Sequence, residues 1–364
     1  MSRISRAQHA FVHPNGSLVS SPLPNAVDSG TLCDRLTVLA DKTAAEGPWR
    51  SGAFDVLARS GMLAGFIAVE DGGTGLTDSA ITAALVAIAE RCLTTALALT
   101  QWAAAVRIIA GGPRSAKKEL LPPLACGTAL TTVGISQLTT SRRHLGRPAL
   151  TASQADGSWR LDGLCPWVTG ADSTQTIVTG ATTDDGGQMF FVVPTDAAGL
   201  TIDSPLGMLA LTGSRTSVVR FAGVRPAHAL SPQASGSVRT GGLSTTALAV
   251  GSTRASVGVI AREAETRAGL GSVAADFAAE IAAVESRLMT AAATGIEPAD
   301  RDRLRADANG LVVRAAQAAL TASKGAGFVT GHPVERLVRE SLFFLVWSCP
   351  QAVTEAFLCD LTAG

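Results

Sequence analysis

The chain has 364 residues, 46% of them hydrophobic and 16% charged, with Lys+Arg and Asp+Glu equal at 30 each. That length exceeds one simple core and divides into two or three units. A balanced charge with no long run of one sign excludes nucleic acid or an anionic membrane as the main partner, because both require a basic face.

The N-terminal extension, residues 1–28, opens "MSRISRAQHAFVHPNGS" and has no long apolar core behind its basic residues, so no secretory signal is expected there. Residues 29–125 are Ala/Leu-rich with helical periodicity, broken at "VEDGGTGLTD" and "GGPRSAKKELLPPLACG". Within the first break, Asp71-Gly-Gly reads as a turn and Thr77-Asp78 as a helix N-cap. The stretch "SAITAALVAIAERCLTTALALTQWAAAVRIIAGG" is the strongest membrane candidate. Glu90-Arg91, Gln101 and Arg107 interrupt it well short of the ~18 apolar residues that a span needs. It is expected to be a buried helix pair, with no membrane partner.

Residues 126–232 change in texture. "ALTTVGIS", "SWRLDGLCPWVTG", "TQTIVTGAT", "MFFVVPTD" and "TSVVRFAGVRP" are rich in Val, Thr and aromatics and are punctuated by Gly, Asp and Pro. This is the pattern of antiparallel strands in a small barrel or sandwich, with "TDDGGQM" as a hairpin turn. Residues 233–364 return to Ala-rich helices that pack closely, as in a bundle. The last, "ERLVRESLFFLVWSCP", is expected to run as a charged and then apolar helix until Pro350 stops it beyond Ser348-Cys349. The fold class is therefore α+β: an N-terminal helical domain, a central β domain and a C-terminal helical bundle.

Several short segments carry candidate chemistry. In "CPWVTGAD", Trp167 lies two residues before Thr169 at a strand end. That arrangement offers either an ordinary core tryptophan or a flat π-face beside a hydroxyl, suited to a planar heteroaromatic cofactor. In "GAGFVTGHPVERLVRE", Gly325 and Gly327 precede a Pro-initiated helix, as a helix cap and turn or as backbone open to a phosphate. Arg267 in "ETRAGLG" complements a helix C-terminus and is a second phosphate candidate. Glu335 and Glu340 interleave with Arg336 and Arg339 and read as solvated ion pairs. Six scattered cysteines without a C-x-x-C read as free thiols of a reducing cytoplasm. The five histidines show no metal-ligand spacing, and the chain has no tyrosine, so no mechanism can use a phenol.

Taken in order, these segments resemble the acyl-CoA dehydrogenase superfamily over roughly residues 35 to 360. "FIAVEDGGTGLTDSAITAALVAIAE" is similar to its P-x-x-x-G-G-x-G and following helix. "DGSWRLDGLCPWVTGADSTQTIVTGA" is similar to d-G-x-y-x-l-n-G-x-K-x-W-I-T-n-a, and "GLTIDSPLGMLALTGSRTSVVRFAGVRPAHAL" to the segment after it. "VGSTRASVGVIAREAETRAGLG" resembles the helix ending R-x-x-F-G, with Leu270 for the phenylalanine, and "GAGFVTGHPVERLVRES" resembles G-x-G-y…P-v-e-R-l-x-R-D. The resemblance implies non-covalent FAD, with Trp167 on the flavin, Thr169 near its N5 edge and Ser136 as another flavin contact. It implies Arg267, Gly325 and Gly327 near the diphosphate across a subunit boundary, hence a homodimer or homotetramer. It implies an acyl thioester substrate, on coenzyme A or a carrier protein, and an electron-transfer flavoprotein as a candidate electron acceptor.

The sequence also departs from that pattern. "GISQLTTSRRHLGRPAL" keeps little of T-E-P-x-x-G-S-D: Gln137 stands for the glutamate and Arg142-Arg143 for the aspartate region, which suggests an altered substrate or flavin-edge contact. Ser348 fills the position of the superfamily's catalytic glutamate. Its backbone N–H can still polarise a thioester carbonyl, and the adjacent Cys349 is a weaker nucleophile candidate because a helix C-terminus opposes a thiolate. Three functions are therefore expected to compete: an α,β-dehydrogenase with a relocated base, a flavin-dependent monooxygenase of the same fold, and a non-catalytic FAD-binding homologue supporting a partner enzyme.

Overall fold

The computed structural model describes residues 29–139, 148–155, 157–230, 242–347, 353–355 and 358–359. Six helices come first: α1 (Ser29–Glu46), α2 (Ala53–Arg59), α3 (Met62–Gly65), α4 (Asp78–Arg91), α5 (Leu93–Ala110) and α6 (Arg114–Ala125). Thr77 caps α4 by accepting the amide of Ala80, as the sequence predicts. The membrane-like stretch is the pair α4–α5, broken where Cys92 takes an extended conformation. By length and hydropathy α5 would suit a membrane span, yet 78% of it is buried inside the protein.

The sheet unit follows, as β1 (Thr131–Gly134), the short α7 (Ser136–Thr139), β2 (Leu150–Ala155), β3 (Ser158–Thr169), β4 (Thr176–Thr183), β5 (Gln188–Pro194), β6 (Leu200–Ile202), β7 (Thr216–Val224) and β8 (His228–Leu230). Its order is β6-β7-β3-β2-β4-β5-β8, with β1 also on β4. The antiparallel expectation holds except at one edge of β4. There β1 pairs in parallel with Thr176–Thr179 and β2 with Thr182–Thr183, so two strands share that edge end to end. The β4–β5 hairpin turns at "TDDGGQM", where Asp185 accepts from the Thr183 hydroxyl and the Gly187 amide.

Among the described residues three long helices and a shorter one follow: α8 (Leu243–Ala264), α9 (Gly271–Thr294), α10 (Pro298–Ser323) and α11 (Pro333–Ser341). The last is shorter than the sequence suggests. It tightens into a 3₁₀ turn over Leu342–Leu345, which brings Phe343 and Trp347 into a stack with ring centroids 5.0 Å apart.

The largest core runs through all three units, joining Trp102 and Leu99 of α5, Val178 of β4, Leu248 of α8 and Leu311 of α10. A second core belongs to the sheet alone, around Phe191 and Val219. The seam between first and last helices depends on Gly251, because a Cβ there would collide with the carbonyl of Val86 on α4. Gly251→Ala should therefore cost about 1–3 kcal/mol in urea unfolding. Gly310→Ala, in α10 with open space around its Cα, should gain up to about 1 kcal/mol in the same assay.

Candidate functional site

Pro166 cannot donate a ladder hydrogen bond, so β3 cannot run straight through it. The β3–β7 register slips between Cys165 and Val168, and this bulge re-aims Trp167. Its indole is 50% exposed while Val168 and Cys165 on either side of it are fully buried. The core-tryptophan reading is thus set aside in favour of an open ring face.

Thr169, two residues on, is buried and joined to a chain of hydroxyls. Its Oγ1 lies 3.2 Å from Thr216 Oγ1, which lies 2.8 Å from Ser214 Oγ. Three hydroxyls bring three hydrogens to two links, which leaves one hydrogen to donate elsewhere. The turn carrying Ser214 is flanked by Leu211 and Arg215, both at positive φ. Sequence reasoning missed Ser214 and Thr216; their signal was the run of small polar residues in "LTGSRTS".

The strand end is clamped from outside. At Gly170 (φ +67°) a Cβ would strike the Trp49 indole, so only glycine admits that ring. Asp172 then accepts from Arg215 Nε at 2.9 Å, from Arg50 at 3.2 Å and from Ser173 at 2.9 Å. Burial pushes this carboxyl up, but the hydrogen bonds of Arg215 and Ser173 and the charges of Arg215 and Arg50 outweigh it. The net effect holds Asp172 below the usual carboxylate range.

Ser136 starts α7, and its Oγ lies 4.0 Å from the Cys165 thiol. Burial pushes that thiol up to about 12, so it is no nucleophile. Gln137 is not a substrate contact. Its side chain is buried, and Nε2 donates to Gly134 O (3.3 Å), Thr179 Oγ1 (3.3 Å) and Gly180 O (2.7 Å), pinning α7 to β4. Arg142 and Arg143 lie outside the described residues.

The remaining candidates gather at the other helical unit. Arg267 follows α8 and binds both Glu263 and the carbonyl of Ala322, near the end of α10. Gly325 and Gly327 lie in the 3₁₀ turn Lys324–Phe328 directly after it. Gly325 faces open space, whereas Gly327 packs on Ser323 and Leu320. The structure brings Arg267 and the glycine turn together. It does not bring them to Trp167: β3 packs on β1, β2, β7 and α7, and the Arg267 unit packs among α8 to α11.

No family model matches the sequence. The chain is 28% identical over 304 residues to the probable acyl-CoA dehydrogenase YngJ of Bacillus subtilis, covering 75% of this chain and 79% of that protein. It is 29% identical over 197 residues to the L-prolyl-[peptidyl-carrier protein] dehydrogenase of Pseudomonas fluorescens, covering 50% of this chain and 52% of that protein. Its fold superposes on butyryl-CoA dehydrogenase from Megasphaera elsdenii with a TM-score of 0.79 at 17% identity, covering 95% of this chain and 100% of that one. The chain thus has the acyl-CoA dehydrogenase fold, and the curated proteins it resembles are dehydrogenases.

Within that superfamily fold, Ser348 and Cys349 lie outside the described residues. The backbone leading to them is held from α10: Arg305 donates to the carbonyl of Trp347 at 2.6 Å, and Asn309 to that of Phe344 at 2.8 Å. All five cysteines among the described residues are free thiols.

A cavity of about 550 Å³ opens between α1, the α4–α5 break, α8 and α11, lined by Arg91, Cys92, Arg254, Arg336 and Glu340 among others. It corrects the solvated-pair reading of α11. Glu335 does pair with Arg339, at 2.5 Å, but Arg336 turns to Asp41, and Glu340 is only 6% exposed. Burial raises the Glu340 carboxyl to about 7 against the pull of Arg336 and Arg339.

Two pH-resolved unfolding series test these assignments. Asp172 stabilises above its ordinary pKa and loses that contribution as pH falls through its lower folded value. Asp172→Asn should therefore lower the thermal midpoint at pH 7, with the gap to wild type closing in strong acid. Glu340 has the opposite sign: its folded pKa is raised, so the penalty grows from about pH 4.5 and is complete above about pH 7. Glu340→Gln should stabilise at pH 8 by of order 1–3 kcal/mol and do little at pH 4.

Proposed function

We propose that this protein is an FAD-dependent oxidoreductase of the acyl-CoA dehydrogenase type that acts on an acyl thioester carried by coenzyme A or a carrier protein. The observation that carries this reading is the half-exposed Trp167 indole turned out of the sheet beside a buried hydroxyl chain with one hydrogen to spare. A flat ring face and a fixed donor are what an isoalloxazine edge requires, and the clamp on Gly170 keeps both in place. The donor set at the far end suits a diphosphate: a guanidinium, Arg267, beside an open glycine backbone at Gly325.

Bound FAD would supply the hydride acceptor for α,β-dehydrogenation of the thioester. Trp167 would cover its ring face, and Thr169 would donate to the ring edge with Ser136 nearby. Because Arg267 and Trp167 sit in different packed units, the reading requires a second copy of the chain to bring the two ends together, as a homodimer or homotetramer. The matches to YngJ and to the prolyl-carrier dehydrogenase support a thioester substrate.

The α-proton base is the open step. A serine hydroxyl at position 348 is too weak a base unaided, and general-base catalysis is worth about 10²–10⁴-fold. Asp172, five residues after Trp167, is bound by two arginines and held below the usual carboxylate range, which weakens it further as a base. The position-348 amide remains as a candidate carbonyl donor, and Arg305 binds the Trp347 carbonyl that begins the same peptide group.

The purified protein should carry flavin absorbance, and Trp167→Ala should weaken FAD binding roughly tenfold, the scale of one aromatic stack. Anaerobic mixing with a panel of acyl-CoA and acyl-carrier thioesters should bleach the flavin. Unbleached flavin that instead reacts rapidly with O₂ once chemically reduced assigns the protein to monooxygenases of this fold, which need no α-proton base. Inert bound FAD assigns it a scaffold role.

A further inference from the structure

Three non-glycine residues among those described have positive φ: Leu211, Arg215 and Lys324. The first two are over-determined by their surroundings. Leu211 is 5% exposed in the core, and Arg215 is tied to Asp172. Lys324 has no such support. It sits at the C-cap of α10 with φ +53° and ψ −149°, on the edge of a region that is essentially glycine's alone. Its side chain is exposed and its ammonium has no ion pair among the described residues, while its backbone N–H bonds to the carbonyl of Thr321. A glycine at this position would hold the same turn without strain, so the fold does not explain the lysine.

Its neighbours offer an explanation. Arg267 reaches the carbonyl of Ala322, two residues before Lys324, and Gly325 leaves its backbone open immediately after. Arg267 is already partly neutralised, because its guanidinium also binds Glu263. Lys324 is therefore the uncompensated cation of this turn. The same turn leaves Phe328 80% exposed, so the segment carrying Lys324 and Gly325 is open to a ligand.

We propose that Lys324 binds the cofactor's diphosphate, its ammonium supplying the positive charge that Arg267, tethered to Glu263, cannot supply alone. This rests on the flavin reading above and adds to it a residue that chain-specific strain marks out. Strain is retained where a side chain's work offsets its conformational cost, and an ammonium on a phosphate is a charge-assisted contact.

The test uses the full-length protein, stripped of flavin and titrated with FAD and with riboflavin, which lacks the phosphates. Binding is followed by flavin fluorescence. Lys324→Ala and Lys324→Gly should both weaken FAD about tenfold, flatten its salt dependence and leave riboflavin unchanged. Lys324→Arg should keep FAD affinity. Lys324→Gly should at the same time raise the flavin-free thermal midpoint by about 2 °C, because it relieves the backbone, so lost affinity cannot come from misfolding. Unchanged FAD affinity in Lys324→Gly, or equal losses for FAD and riboflavin, overturns the assignment while leaving the flavin reading intact. A wild-type protein that takes up no flavin overturns both.

Discussion

The site depends on one close approach, the indole of Trp49 seated against the backbone of Gly170. Only a residue without a Cβ, in a left-handed conformation, lets the ring in. The ring stacks in turn on Phe54, with centroids 5.5 Å apart, so the first helical unit grips the sheet through an aromatic wedge. Asp172 completes the grip with an arginine from each side, Arg50 from the helical unit and Arg215 from the loop before β7. What it holds still is the short run Trp167-Val168-Thr169. Without it, the exposed indole and the hydroxyl chain would sit on a free strand end.

Strain gathers around the same junction. Leu211 and Arg215 each hold a conformation that costs of order 1–3 kcal/mol for a side-chain-bearing residue. Between them, Gly213 presses on the carbonyls of Thr43 and Ala44 at the end of α1. The turn therefore has little freedom, and Ser214 and Thr216 inherit that rigidity. A donor that does not have to be reoriented on binding is worth more than one that does. The loop's awkward backbone and the order of its hydroxyls are two sides of one arrangement.

Much of this was legible in the sequence. The helix, strand, helix progression followed from periodicity, the buried helix pair from charges that interrupt an apolar run, and the Thr77 cap and the "TDDGGQM" hairpin from local chemistry. What stayed hidden was set by contacts distant in sequence. Alternation marks β4 as a strand but says nothing about which strands lie beside it, so its parallel edge was invisible. Glu340 looked solvated because Glu335 and two arginines shared its helix. Which arginine turned toward Asp41, and which acid was left inside, is a tertiary outcome. Gln137 looked like a substitution at a ligand, yet its amide serves the sheet. Lys324 carried a faint signal, a lysine opening a glycine-rich helix end, which only the backbone angles made specific.

The burial of α4 bears on how the chain is made. Much of its cover comes from α8, which begins at Leu243, more than 150 residues after α4 ends, whereas α5 packs mainly on α4, α6 and β1. During synthesis the apolar face of α4 must wait, half-clothed, for that helix to emerge. A ribosome pausing in the sheet region would leave a nascent chain with a greasy flank on display, a natural client for chaperones.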